Sequence, residues 1–168
     1  MCSIAKTAKT DAILVVDGKK LHVNKTLLSY HSDYFDTLFN SGFKEKSMPE
    51  IEIKDVNFEK FATLLSLIQP KPIFPTGTVD NADKILELAD RFLLPAAQNF
   101  MNMWLVSTTI SRLGKLRLAD KYKLPILTAH ALTLFDSQND LLCCKGYFKN
   151  YSDVTKARIY DRLASLNN

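Results

Sequence analysis

Apolar and polar positions alternate between Asp11 and Lys25 on either side of a tight turn. Ile13-Leu14-Val15-Val16 is a β-rich run, and Leu21 and Val23 alternate on the return. Asp17-Gly18 between them tolerates positive φ at low steric cost, so a hairpin is predicted. The period then lengthens. Leu27, Leu28, Tyr34, Phe35, Leu38 and Phe39 give a helical face, which Ser32-Asp33 interrupts and re-caps. Glu50-Ile51-Glu52-Ile53 returns to strict alternation and predicts a half-buried strand. Asn57 is placed to cap a helix carrying Phe58, Phe61, Ala62, Leu64, Leu65 and Ile68. The stretch PKPIFPTGTV at 70–79 holds three of the six prolines and reads as an extended connector.

From Asp80 onward the pattern is helical and contains an echo. Ala89-Asp90-Arg91-Phe92-Leu93-Leu94-Pro95 returns thirty residues later as Ala119-Asp120-Lys121-Tyr122-Lys123-Leu124-Pro125, and Leu86 and Leu88 answer to Leu116 and Leu118. Each copy reads as a helix ending near an aromatic and a leucine, followed by a proline in the first turn of the next helix, where its missing N–H costs nothing. Two tandem helical hairpins are predicted. A last helix, capped by Ser152 or Asp153, would turn Val154, Ala157, Ile159 or Tyr160, Leu163 and Leu166 inward.

Composition adds little. A chain of 168 residues with 46% hydrophobic and 24% charged residues suits a globular domain with a real core. No apolar run approaches the ~18 residues that span a bilayer, so no membrane partner is expected. The net charge of +4 is mild. Its densest run, Lys115, Arg117, Lys121 and Lys123, is interrupted by Asp120 and accompanied by no aromatic stacking platform. It reads as a solvated helix face, and no nucleic-acid partner is expected. Cys2, Cys143 and Cys144 match neither a zinc spacing nor a disulfide framework, which favours a reducing compartment. No Gly-rich phosphate loop and no GxSxG elbow occurs, and His22, His31 and His130 stand at no metal-ligand spacing. Neither an enzyme nor a cofactor or metal is expected.

The order of hairpin, helical pair, strand, helix and helical hairpins resembles the BTB/POZ domain family with a short helical, three-box-like extension. Within that family the chain is similar to MATH–BTB and nematode-type BTB proteins. The matching residues are Asp11 to Val16, the Gly18 turn, Leu21 to Lys25, Leu27-Leu28-Ser29, Ser32 to Phe35, Leu38-Phe39, Ile51 to Val56 with Phe61, and Leu88 to Phe92 with Leu94. Asn24 stands where the family usually has a histidine. The resemblance implies an α+β fold, a short three-stranded sheet with packed helices, followed by an all-helical C-terminal extension. The first ten residues, MCSIAKTAKT, read as a polar leader, and the resemblance implies a BTB/POZ domain at 11–106 and a helical extension at 107–168.

The resemblance also implies a function. Such domains include adaptors of cullin-3 ubiquitin ligases, which bind the N-terminal region of cullin-3 through a φ-x-E motif before the third strand. Phe43-Lys44-Glu45 falls on that motif. Phe43 is then either an exposed anchor for a partner pocket or a residue folded back onto the Leu38-Phe39 helix. Asp11 and Lys25 match a charged pair that dimeric relatives keep near the dimer axis, and an ordinary surface ion pair would explain them equally well. The expectation is a cytoplasmic or nuclear interaction module that homodimerises and delivers an unidentified substrate for ubiquitination. The alternative is a dimerisation scaffold without cullin binding.

Overall fold

The computed structural model describes residues 10–40, 48 and 50–166. Its architecture is α+β. Strands β1 (Ala12–Val16), β2 (Lys19–Val23) and β3 (Glu50–Ile53) form a sheet of order β2-β1-β3, with β2 antiparallel and β3 parallel to the central strand. Leu14 faces Leu21 and Ile51, so one face of all three strands is apolar and buried. The hairpin turns on Asp17 and Gly18, both at positive φ (50° and 70°), as the sequence predicts.

Helices α1 (Lys25–His31), α2 (Asp33–Asn40) and α3 (Phe58–Ser66) follow the strands in the order expected. Asn24 Oδ1 accepts the Leu27 N–H at 2.7 Å and Asn57 Oδ1 accepts the Lys60 N–H at 3.1 Å, each satisfying an orphan donor of a helix start. The helical remainder comprises α4 (Val79–Arg91), α5 (Pro95–Trp104), α6 (Arg112–Lys121), α7 (Pro125–Thr133), α8 (Gln138–Leu142), α9 (Lys145–Phe148) and α10 (Asp153–Ser165). Pro95 and Pro125 open their helices, as the echo requires.

The chain divides into two compact units. One takes residues up to Pro75 together with Lys84–Gln98, and the other takes Thr76–Asp83 and the chain from Asn99 onward. In the first, four phenylalanines form the centre. The Phe35 ring stacks on Phe92 and on Phe39 with centroids 5.8 Å apart, and Phe61 meets Phe92 edge-on at 5.0 Å. Such ring pairs add roughly 0.5–1.5 kcal/mol each beyond the area they bury. Arg91 at the end of α4 donates to the carbonyls of Lys54 (2.9 Å) and Asp55 (3.0 Å), holding the turn after β3. In the second unit Leu116, Ala131, Leu132, Phe135, Leu141 and Ile159 form a core that joins α6, α7, α8 and α10.

Two expectations are corrected here. Lys115 is not part of a solvated face but is 2% exposed, while Arg117, Lys121 and Lys123 are exposed. On α10, Val154 is 67% exposed and Ala157 is exposed, whereas Thr155 and Ile159 are buried. The cause lies at the helix start. Ser152 donates its N–H and hydroxyl to the Asp120 carboxylate and caps the Thr155 N–H, fixing the rotation of the first turn. Positions 155 and 159, one turn apart, then share the inner face, and 154 and 157 are turned out.

Candidate docking surface

The docking motif expected at Phe43-Lys44-Glu45 lies outside the described residues, and its two flanks are well fixed. On one side α2 ends at Asn40 with Phe39 buried and Leu38 half-buried. Its start is pinned by Ser32, whose hydroxyl donates to the Phe92 carbonyl at 2.7 Å and accepts the Phe35 N–H at 3.1 Å. On the other side Glu50 opens β3 in register with Ile13 and pairs with Lys20.

Asp11 and Lys25 are brought together, through the backbone of one and the side chain of the other. Asp11 Oδ1 accepts the Lys25 N–H at 2.8 Å, and the Asp11 N–H donates to Val23 O at 3.0 Å. The carboxylate thus supplements Asn24 at the start of α1, where the first N–H groups lack helical partners. The Lys25 ammonium lies instead over the Phe39 ring, 5.6 Å from its centroid. Asp11 remains exposed.

The second unit carries two polar clusters that sequence reasoning did not assemble. Asp83 Oδ1 accepts from Lys121 Nζ at 2.8 Å and from the Tyr122 hydroxyl at 2.9 Å. Burial alone would raise the Asp83 pKa, but these two donors and the Lys121 charge outweigh it and hold the carboxyl below its ordinary value. Tyr122 is pushed up to about 12, first by burial. Deeper in the unit, Lys115 Nζ donates to Val106 O at 2.8 Å and lies 3.3 Å from His130 Nε2. Burial lowers the Lys115 pKa, and burial followed by the Lys115 charge lowers that of His130. Lys115 precedes buried Leu118 and Ala119 by three and four residues, so helical periodicity alone could have placed it on the inner face. Among the described residues no group of three or more His, Cys, Asp or Glu side chains could hold a metal, and no helix is long and apolar enough to cross a membrane.

Comparison with known proteins finds relatives of the chain. The family model described as BTB/POZ domain matches residues 4–109. The chain is 35% identical over 94% of its length to BTB and MATH domain-containing protein 38 of Caenorhabditis elegans, and 31% identical over 94% to BTB and MATH domain-containing protein 36 of the same organism. It spans 41% and 49% of those two proteins. Among solved structures it is similar to the BTB domain of human Gigaxonin, with 24% identity, a TM-score of 0.45, and coverage of 58% of this chain and 78% of that one.

Proposed function

Because the chain belongs to the BTB/POZ domain family, we propose that it is a non-catalytic protein-interaction module that recruits a cullin-3 ubiquitin ligase. Phe43 is the anchor, Lys44 the spacer and Glu45 the polar partner on the rim. The observation that carries this reading is family membership over residues 4–109, together with a φ-x-E triplet in the connection between α2 and β3. A buried aromatic anchor is the kind of residue on which binding energy concentrates. Homodimerisation belongs to the same reading, with Asp11 and Lys25 near the axis. The substrate to be ubiquitinated is held by other parts of the protein or by a second protein, in the cytoplasm or the nucleus.

Calorimetry with the N-terminal region of cullin-3 tests this. The unmodified chain binds, and Phe43→Ala or Glu45→Lys weakens binding by about 2 kcal/mol or more, roughly thirtyfold. Undiminished binding by both variants would sink the motif assignment. No binding by the unmodified chain would leave a dimerisation scaffold as the better reading.

A further inference from the structure

We propose that a groove formed by α8, α9 and α10 is a docking site for an acidic, amphipathic peptide segment of a partner protein. The groove has a volume of about 310 Å³, at the small end of the range for ligand pockets, and suits one or two large apolar side chains. Its lining is mostly apolar. Ile159 at the base is buried in the core of the second unit, and Phe148 and Leu163 are half-buried against that core. Leu142 and Tyr160 on the walls are 46% and 70% exposed.

The rim decides the occupant. Lys145, Lys149 and Lys156 line the groove, and no carboxylate does. Lys145 and Lys149 are four residues apart on α9 and its C-cap, a spacing at which like charges oppose the helix that carries them. Neither makes an ion pair among the described residues. Lys156 pairs at 3.5 Å with Asp153, whose carboxylate is fully solvated, an arrangement that water and salt readily screen. An anionic segment would satisfy all three cations while its apolar residues cover Leu142 and Tyr160. A second copy of the same face would instead set lysine against lysine. The matching mode is an amphipathic helix laid in a groove, anchored by residues three or four apart.

The test uses the full chain and two labelled synthetic peptides, with leucines on one face and either glutamates or lysines on the other. In fluorescence anisotropy the glutamate peptide binds, added salt weakens it, and the lysine peptide does not bind. Lys145→Glu combined with Lys149→Glu lowers affinity at least tenfold, and Tyr160→Ser lowers it by a smaller factor. All three positions tested are exposed, and an unchanged melting temperature verifies that each variant is folded. Equal binding of both peptides, no binding of either, or insensitivity to the lysine reversals would overturn the proposal. So would anionic phospholipid vesicles that displace the glutamate peptide, since the basic face would then be a membrane-surface site. Cullin-3 binding is measured on the same variants. Its persistence in the lysine reversals keeps this groove distinct from the Phe43 motif, and its loss there would merge the two surfaces and overturn the claim of a separate partner.

Discussion

Leu93 and Lys123 share a left-handed backbone, with φ of 47° and 54°, at equivalent positions of the two echoed segments. Around each the hydrogen bonds repeat. The Leu94 N–H reaches Ala89 O at 2.8 Å and the Leu93 N–H reaches Asp90 O at 3.1 Å. The Leu124 N–H reaches Ala119 O at 2.8 Å and the Lys123 N–H reaches Asp120 O at 3.4 Å. Both helices therefore close in a Schellman motif, with a buried leucine as the residue after the left-handed one. Glycine is the usual occupant of that left-handed position, because a Cβ there costs roughly 1–2 kcal/mol.

Lys123→Gly is accordingly expected to stabilise the chain by up to about 1 kcal/mol, the relief of strain being partly offset by the greater freedom of glycine in the unfolded state. Lys123→Val should act in the opposite direction, since a β-branched residue at positive φ is strained further. Urea unfolding of the two variants decides this: equal midpoints would mean that the left-handed conformation is not imposed by the helix end.

The echo shows how far the sequence carried. Its leucines and prolines marked where helices end and begin, because apolar periodicity and the missing proline N–H are local properties. The left-handed residue was not legible, because neither Leu93 nor Lys123 is a residue type that advertises positive φ. The hairpin at Asp17-Gly18 was legible for the opposite reason. For Lys115 charge and periodicity point opposite ways: its spacing from Leu118 and Ala119 marks the inner face, while the polar partners that make burial tolerable, Val106 O and His130, lie nine and fifteen positions away. Of the expected site, Asp11 and Lys25 meet through a capping hydrogen bond to the Lys25 N–H rather than through their charges, a contact that no pairing of charges would suggest.

Ser32 joins two parts of the first unit with one hydroxyl. It is 3% exposed, donates to Phe92 O and accepts the Phe35 N–H. Ser32→Ala removes a helix cap and leaves the Phe92 carbonyl without this donor, for an expected loss of about 1–3 kcal/mol. Ser32→Thr keeps the hydroxyl and should lose less. Differential denaturation curves of the two variants would expose a purely steric role if threonine proved the worse.

His130 makes stability fall on the acid side. Its folded pKa lies below the ordinary 6.5, through burial and through the nearby Lys115 charge, so the unfolded chain takes up a proton that the folded chain resists. Above pH 6.5 the contribution is level, and it declines as pH falls through 6.5 toward the lower folded value. His130→Gln should flatten that part of the profile while leaving the separate carboxylate-driven loss at lower pH. A Tm series from neutral to mildly acidic pH in which both proteins decline in parallel would rule the histidine out as the cause.

Asp11 has one local task and one proposed task, and the two are separable. Locally its Oδ1 accepts the Lys25 N–H, which Asn at position 11 can still do through an amide oxygen. At a dimer axis its charge would matter, and Asn lacks that charge. Asp11→Asn is therefore expected to leave the urea midpoint of the isolated chain within about 0.5 kcal/mol, as for a surface change that preserves its hydrogen bond. Self-association should weaken by roughly tenfold, the equivalent of about 1.4 kcal/mol. Lys25→Met makes a second probe, removing the ammonium that lies over Phe39 while keeping the backbone N–H that Asp11 accepts. Light scattering across a dilution series reads the association directly. If the unmodified chain stays monomeric at micromolar concentration, the axis role disappears. If Asp11→Asn dimerises as well as the parent, the carboxylate serves only the start of α1.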